Sequence, residues 1–395
     1  MAPFFPRHAR AEAVVTTESR GPAASGNGAG KVLAESDRCA RCVLPCSAVG
    51  LRFDPDGVCE QCKAEGPPGQ AAPADTSQLE TMIETVRQRG QGRAFDCVVG
   101  LSGGQDSSYL LYRLSRQHRL RCLAAYYRTP FTHDVIDENV EAMVKQLAVP
   151  LVRISIPHEY HTRIARRFVL RWDKNRLPEL INLACAPCKL FLRDLLRVAR
   201  AHRVRSVICG GNKYEEVSFL PAYRPEDVGE GGHGLVNQAR KILHVGTKGA
   251  LLLARCAVPL TCLPIALKAS ALYLTLYTPY LRLRYPGIFR FDYFFHRDWN
   301  EAECVRTIQQ ELGWRLPPNC ADTWRADCTF ADAKNYMFYK TVGATYLDVF
   351  LSNLIRAGQI TRDQAVARLK ADAAAPWRRA KEALAVLGVP PDFIQ

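Results

Sequence analysis

From Leu79 onward the apolar positions alternate between two periods. Short apolar runs at Cys97 to Leu101, Arg121 to Tyr127, Leu151 to Ile154 and Ser206 to Cys209 read as buried strands. Between them, apolar residues three and four apart predict helices at Leu79 to Arg89, from Tyr109 through Leu114, at Val135 to Leu147, at Tyr160 to Arg171 and from Lys189 to Arg200. This alternation is the pattern of a doubly wound parallel α/β sheet. Past residue 299 the pattern is helical only. Glu301 to Leu312 and Tyr346 to Ala357 show clear faces, and Thr361 with Asp363 behind it reads as the N-cap of a last helix.

The segments outside this pattern set the expected domain bounds. Residues 1–36, rich in Ala, Gly, Ser and Arg, bury too little apolar surface to offset ordering and are expected as a disordered tail. A small knuckle over 37–66, a Pro/Gly linker over 67–78, the α/β domain over 79–220, an apolar and basic insertion or lid over 221–298 and a helical region over 299–395 follow. Within the insertion, Ala250 to Leu281 is strongly apolar, but Arg255, Pro259, Pro264 and Lys268 interrupt it. It is therefore read as a buried helical pair or lid, with no transmembrane span.

Composition changes this picture little. With 395 residues, 48% hydrophobic and 23% charged, the chain has the make-up of a globular protein with room for more than one domain. The net charge of +14 is spread along the chain, so a solvated basic surface is its first meaning. The arginines 163, 166, 167 and 171 are read the same way, as a solvated helix face. The 15 cysteines are odd in number and partly arranged as CxxC pairs, and Met1 to Lys31 has no signal-peptide core. Both point to a reducing cytoplasm.

The chemistry concentrates at a few turns. Ser102-Gly103-Gly104 links a buried strand to a helix, so the backbone can approach a ligand and free N–H groups face it. With Asp106, Ser107 and Ser108 following, an anion such as a phosphate is expected there, although the Walker pattern is absent. Ligands of an open α/β sheet lie beyond the carboxyl ends of its strands. That places an adenine near Tyr126, Tyr127 and Arg128. It also makes Gly210-Gly211-Asn212, followed by Glu215 and Glu216, a second face of the site.

Three CxxC pairs carry the remaining signal. Cys39, Cys42, Cys59 and Cys62, brought together by an Asp54-Pro55-Asp56-Gly57 turn, read as the four thiolates of a closed zinc site, with Cys46 able to compete as a ligand and free buried thiols or a redox pair as the alternatives. The pair Cys185 and Cys188, followed by Lys189, is too few for a closed site. It reads as a redox pair, as part of a cluster's ligand set or as buried thiols.

The SGGQDSS stretch resembles the SGGxDS signature of the PP-loop ATP pyrophosphatases, an adenine nucleotide alpha hydrolase-like (HUP-like) superfamily. The resemblance implies that Ser102, Gly103, Gly104, Ser107 and Ser108 cradle pyrophosphate, with Gly210, Gly211 and Tyr127 also around ATP. Asp106 would stand beside the phosphates and their Mg²⁺, and Asp106, Asn212 and Lys189 become the catalytic candidates. Over roughly 37–370 the order of motifs is similar to the N-acetyl sugar amidotransferase family, which is tied to bacterial surface-polysaccharide synthesis. The matching pieces include CARCVLP at 39–45, CAPCK at 185–189, GGN at 210–212, Gly313-Trp314, Asp327-Cys328 and the stretch from Leu351 to Arg356. That resemblance implies adenylation of an acetamido oxygen on a nucleotide sugar or other small acceptor, then displacement of AMP by ammonia. No glutaminase nucleophile is present, since Ala2 follows Met1 and Cys209 lies outside an elbow motif, so a separate glutaminase partner is implied.

A rival resemblance lies in the same superfamily. In the sulfur-inserting tRNA thiolases, a CxxC and a distant third cysteine hold a [4Fe–4S] cluster. Cys185, Cys188 and Cys328 would be that set here, with Cys320 as fallback and sulfide as the nucleophile. A nucleic-acid-binding knuckle without enzymatic activity is the third reading. It is disfavoured because no aromatic and basic cluster marks a base-stacking surface.

Overall fold

A computed structural model of the chain describes residues 34–69, 76–155, 157–220, 262–264, 281, 283–318, 320, 322–373 and 377–394. The expected tail before residue 34 and most of the expected insertion lie outside the described residues.

The sheet is built from β1 (Cys97–Leu101), β2 (Cys122–Arg128), β3 (Leu151–Ser155), β4 (Ser206–Cys209) and β5 (Phe289–Asp292). Its order is β3-β2-β1-β4-β5 and every pairing is parallel. The central strands are buried almost without a break, because helices cover both faces of a parallel sheet. Gly100 shows how closely: a Cβ there would lie 2.9 Å from Leu195 Cδ1, on the helix Phe191–Ala201. Edge strand β3 is only half-buried, and its Arg153 pairs outward with Glu141.

Four strands stand within a residue of the sequence reading. The fifth does not appear in it. Phe289–Asp292 pairs with β4 from Ser206↔Phe289 to Cys209↔Asp292, inside the stretch read as an insertion. It has four residues and follows Pro286-Gly287, too short and too broken a signal for periodicity to register. Its place is fixed from outside, by Tyr293 O–H against the His118 ring nitrogen at 2.8 Å.

Beyond β5 the helices follow their caps. Asn300 Oδ1 accepts from Glu303 N–H at 2.9 Å to start Glu301–Leu312, and Gly313, at φ +63°, ends it. Thr345 and Asp348 form a reciprocal capping box at the start of Tyr346–Arg356. Thr361 opens Arg362–Ala373 as expected, its Oγ1 accepting from Gln364 N–H at 3.2 Å while Gln364 Oε1 accepts from Thr361 N–H at 2.8 Å. No helix among the described residues is long and apolar enough to cross a membrane.

Strand order decides where a ligand can enter. The chain runs outward from β1 to β2 and β3, then returns to place β4 on the other side of β1. The loops leaving β1 and β4 therefore diverge and leave a crevice between them, the position where open α/β sheets bind ligands.

Candidate active site

The loop leaving β1 is Ser102-Gly103-Gly104, and the helix Gln105–Tyr112 starts directly after it. Gly103 sits at φ +84°, and a Cβ there would lie 2.4 Å from Ile136 Cγ2, so conformation and packing both require glycine. The loop is tied to itself. Ser102 N–H donates to Ser107 Oγ at 3.1 Å, and Gly104 N–H donates to Ser102 Oγ at 3.3 Å. From the helical region, Trp314 Nε1–H donates to Gly103 O at 3.0 Å. Ser102 and Ser107 are half-buried at the loop, whereas Ser108 is fully buried.

Asp106 is held from two sides. Its Oδ2 accepts from Asn212 Nδ2–H at 2.6 Å, across the crevice, and its Oδ1 accepts from Trp299 Nε1–H at 3.0 Å. Asn212 is itself fixed, because its Oδ1 accepts from Tyr214 N–H at 2.9 Å and caps the turn Lys213–Glu215. Gly210 lies beside the same helix turn, where a Cβ would stand 3.5 Å from Asp106 O. Burial and the charge of Glu215 raise the Asp106 pKa well above the carboxylate range. The two hydrogen bonds and the positive charge of Arg325 work against that rise. A divalent cation arriving with phosphates would add to the lowering side.

The segment ending in the Asp327-Cys328 pair lies across the crevice. A Cβ on Gly104 would lie 3.0 Å from Asp327 Cγ, so the Asp327 carboxylate rests on the loop where a side chain is missing. Two residues earlier, Arg325 Nη2–H donates to Glu215 Oε2, in the loop that leaves β4. Residues 325–327 thus reach from one loop to the other. Asp327 belongs to the matched Asp327-Cys328 pair, but no local pattern marks Arg325, whose contact joins positions 110 apart.

The thiols gather at the same end of the sheet. Cys188 Sγ lies 3.5 Å from Nε2 of the fully buried His161, whose Nδ1 has no partner among the described residues. Tyr127 O–H donates to Pro187 O at 3.0 Å, tying β2 to this pair. Cys185 is lowered to about 6 by the hydrogen bond from Cys188 and then by Lys334, Lys189 and Arg325. The charge of Cys185 in turn helps raise Cys188 and Cys328, so the three thiols face one another electrostatically. Lys334, absent from the sequence reading, has its pKa lowered by burial and by the neighbouring Lys189 and Arg325. A four-iron cube spaces its thiolates more widely than one ion does. Three thiolates are donors of the kind such a cluster takes, and Cys185, Cys188 and Cys328 would be the residues to hold it.

The knuckle is the tighter centre. The Sγ atoms of Cys39, Cys42, Cys59 and Cys62 lie within 4.8 Å of one another, the one such group among the described residues. Cys39 Sγ also accepts from the N–H groups of Cys59, at 3.3 Å, and Cys42, at 3.5 Å, bonds that favour a thiolate. Four sulfurs of this kind fit Zn²⁺. Cys46 is exposed and outside the group, so it does not compete for the ion. The knuckle is joined to the helical region by Arg38 Nη1–H on Asp348 Oδ1 at 2.6 Å and by Arg362 Nε–H on Cys39 O and Cys42 O, both at 3.2 Å.

No protein-family model matches the chain, and no curated protein does. Among solved structures it is similar to an NMN synthetase from Francisella tularensis, at 17% identity over 35% of this chain and 56% of that one, with a TM-score of 0.25. It is similar to the U34-tRNA thiolase NcsA from Methanococcus maripaludis with its [4Fe–4S] cluster, at 15% identity over 80% and 88%, with a TM-score of 0.30. A third is the NH₃-dependent NAD synthetase from Campylobacter jejuni in complex with a nitrate ion, at 16% identity over 54% and 99%, with a TM-score of 0.26. At that overlap they add nothing to the site, which stands on its own residues.

Proposed function

We propose that the chain is an ATP-dependent adenylating enzyme of the PP-loop type. It activates an amide or carbonyl oxygen on a sugar-type acceptor and passes the adenylate to ammonia from a separate glutaminase. The observation that carries this reading is the bond from Asn212 to Asp106, which closes a glycine-rich anion loop against the loop after β4 at the switch point. Ser102, Gly103, Gly104 and Ser107 bind the departing pyrophosphate, and Asp106 would hold the Mg²⁺ that offsets phosphate charge when bound. The acceptor oxygen attacks the α-phosphorus and pyrophosphate leaves. Ammonia then adds to the imidate carbon, and AMP departs with the former amide oxygen. Lys189 and Lys334 supply the positive field beside the developing charge. Cys39, Cys42, Cys59 and Cys62 hold a structural Zn²⁺. The reaction is that of an N-acetyl sugar amidotransferase, turning acetamido into acetamidino.

The test is a panel of N-acetylated nucleotide sugars incubated with ATP, Mg²⁺ and ¹⁵N-ammonium. Incorporation of ¹⁵N in place of the amide oxygen supports the reading, and incorporation of sulfur when sulfide is offered instead sinks it.

Cys185 and Cys188 are tied to the end of β2 through Pro187, and Thr329, next to Cys328, bonds to Phe131 just beyond the same strand, which favours a second reading, sulfur transfer to the same adenylate. A bound [4Fe–4S] cluster would supply a position for sulfide. Anaerobic purification with iron, sulfide and zinc analysis separates the two: zinc alone favours ammonia, and iron lost on Cys328→Ala favours sulfide.

A further inference from the structure

The site has three carboxylates around an anion loop, and this sets a charge problem. Asp106 lies at the first turn of the helix, Asp327 rests on Gly104, and Glu215 stands in the loop after β4. A triphosphate entering here meets like charge from both loops, which a cation at the mouth would offset. Arg325 is the side chain that the geometry puts there, with its guanidinium on Glu215 and its strap resting on Gly104 through Asp327.

Its backbone agrees. Arg325 takes φ +51° in a turn that ends no helix, whereas Ala148 and Arg176, in the same region, close helices. The left-handed conformation is unfavourable for a residue with a Cβ. Such strain persists where the surroundings over-determine it, commonly at ligand clamps. The side chain is also free to change partner. It is 49% exposed, so solvent screens its pair with Glu215 and an incoming anion can reach it. A phosphate offers the guanidinium a stronger, bidentate and charge-assisted bond.

We propose that Arg325 is the catalytic grip on the β- and γ-phosphates of ATP and on the pyrophosphate that leaves, and that Glu215 is the positioning residue holding it between turnovers. This rests on the adenylation reading above. Arg325 acts on the phosphates of the Ser102–Ser107 cradle, so AMP, which lacks them, does not engage it.

The test is calorimetric titration of the full chain with Mg²⁺ and, separately, inorganic pyrophosphate, ATP and AMP. Asparagine tolerates the left-handed region, so Arg325→Asn removes the guanidinium without adding strain. We expect it to weaken pyrophosphate and ATP at least tenfold while AMP stays within about twofold, which also shows that the variant is folded. Glu215→Gln should bind pyrophosphate as tightly as the parent or more tightly. Unchanged pyrophosphate binding in Arg325→Asn overturns the assignment, as does an equal loss for AMP. A parent chain that binds neither ATP nor pyrophosphate rejects the adenylation reading itself, a separate outcome.

Discussion

Asn212 and Asp106 stand 106 positions apart in the sequence, and the Asn212 side-chain amide donates a 2.6 Å bond to the Asp106 carboxylate. Each lies just beyond the carboxyl end of a central strand, so the bond spans the crevice where the sheet reverses its order. It makes the two loops one site. Asp106→Ala is expected to lower acceptor-dependent pyrophosphate release about a hundredfold or more with the fold intact, as loss of a charge-stabilising group does. Asn212→Ala leaves the carboxylate with Trp299 alone and should cost roughly tenfold. Pyrophosphate release at parental rates from either variant, with far-ultraviolet circular dichroism unchanged, would remove that residue from the mechanism.

Gly103 gives a stability prediction that does not depend on the reaction. A Cβ there would stand 2.4 Å from Ile136 Cγ2 in a φ +84° backbone, whereas a Cβ on Gly211 meets nothing closer than 3.4 Å. Gly103→Ala should therefore lose about 3 kcal/mol from overpacking and strain, and Gly211→Ala much less. Urea unfolding of the two variants side by side checks the contrast.

The sequence made much of this visible, and where it failed is instructive. β1, β2, β3 and β4 are apolar runs bounded by turns, the SGGQDSS loop is a contiguous motif, and the four knuckle thiols are spaced like ligands. All of that is local information. Trp299, Trp314 and Asp327 reach this loop, and Arg325 the loop after β4, through contacts that no periodicity encodes. Lys334 is a half-buried lysine on an ordinary helix face, and β5 is four residues beside an apolar, basic stretch. The chemistry was legible wherever one segment carried it, and hidden wherever two distant segments had to meet.

The knuckle predicts a directional effect of metal loss. Arg38, Cys39 and Cys42 are bonded to Asp348 and Arg362 and make no such contact with the sheet. Removing zinc by chelation, or replacing Cys62 with Ser, should lower the melting temperature. Amide exchange should rise first in the helices Tyr346–Arg356 and Arg362–Ala373, with β1 still protected. Exchange rising first in β1 would contradict this coupling.

His118 should make stability depend on pH through the contact that seats β5. Burial, followed by the charges of Arg113, Arg87 and Arg297, lowers its pKa to about 4 from the ordinary 6.5. Between those values the unfolded chain binds the extra proton, so this contribution is lost as pH falls from about 6.5 towards 4. His118→Gln can keep a bond to Tyr293 but cannot titrate. The difference in melting temperature between parent and variant should therefore grow in the variant's favour below pH 6.5 and stay constant above it.

The central claim is that the crevice between β1 and β4 cuts ATP between its α- and β-phosphates to activate an acceptor. Its most direct test is the identity of the products when an N-acetylated acceptor, ATP, Mg²⁺ and ammonia are combined with the full chain. AMP and pyrophosphate should form in equal amounts, and Asp106→Ala should abolish both. ADP and orthophosphate, or AMP and pyrophosphate that persist in that variant, would contradict it.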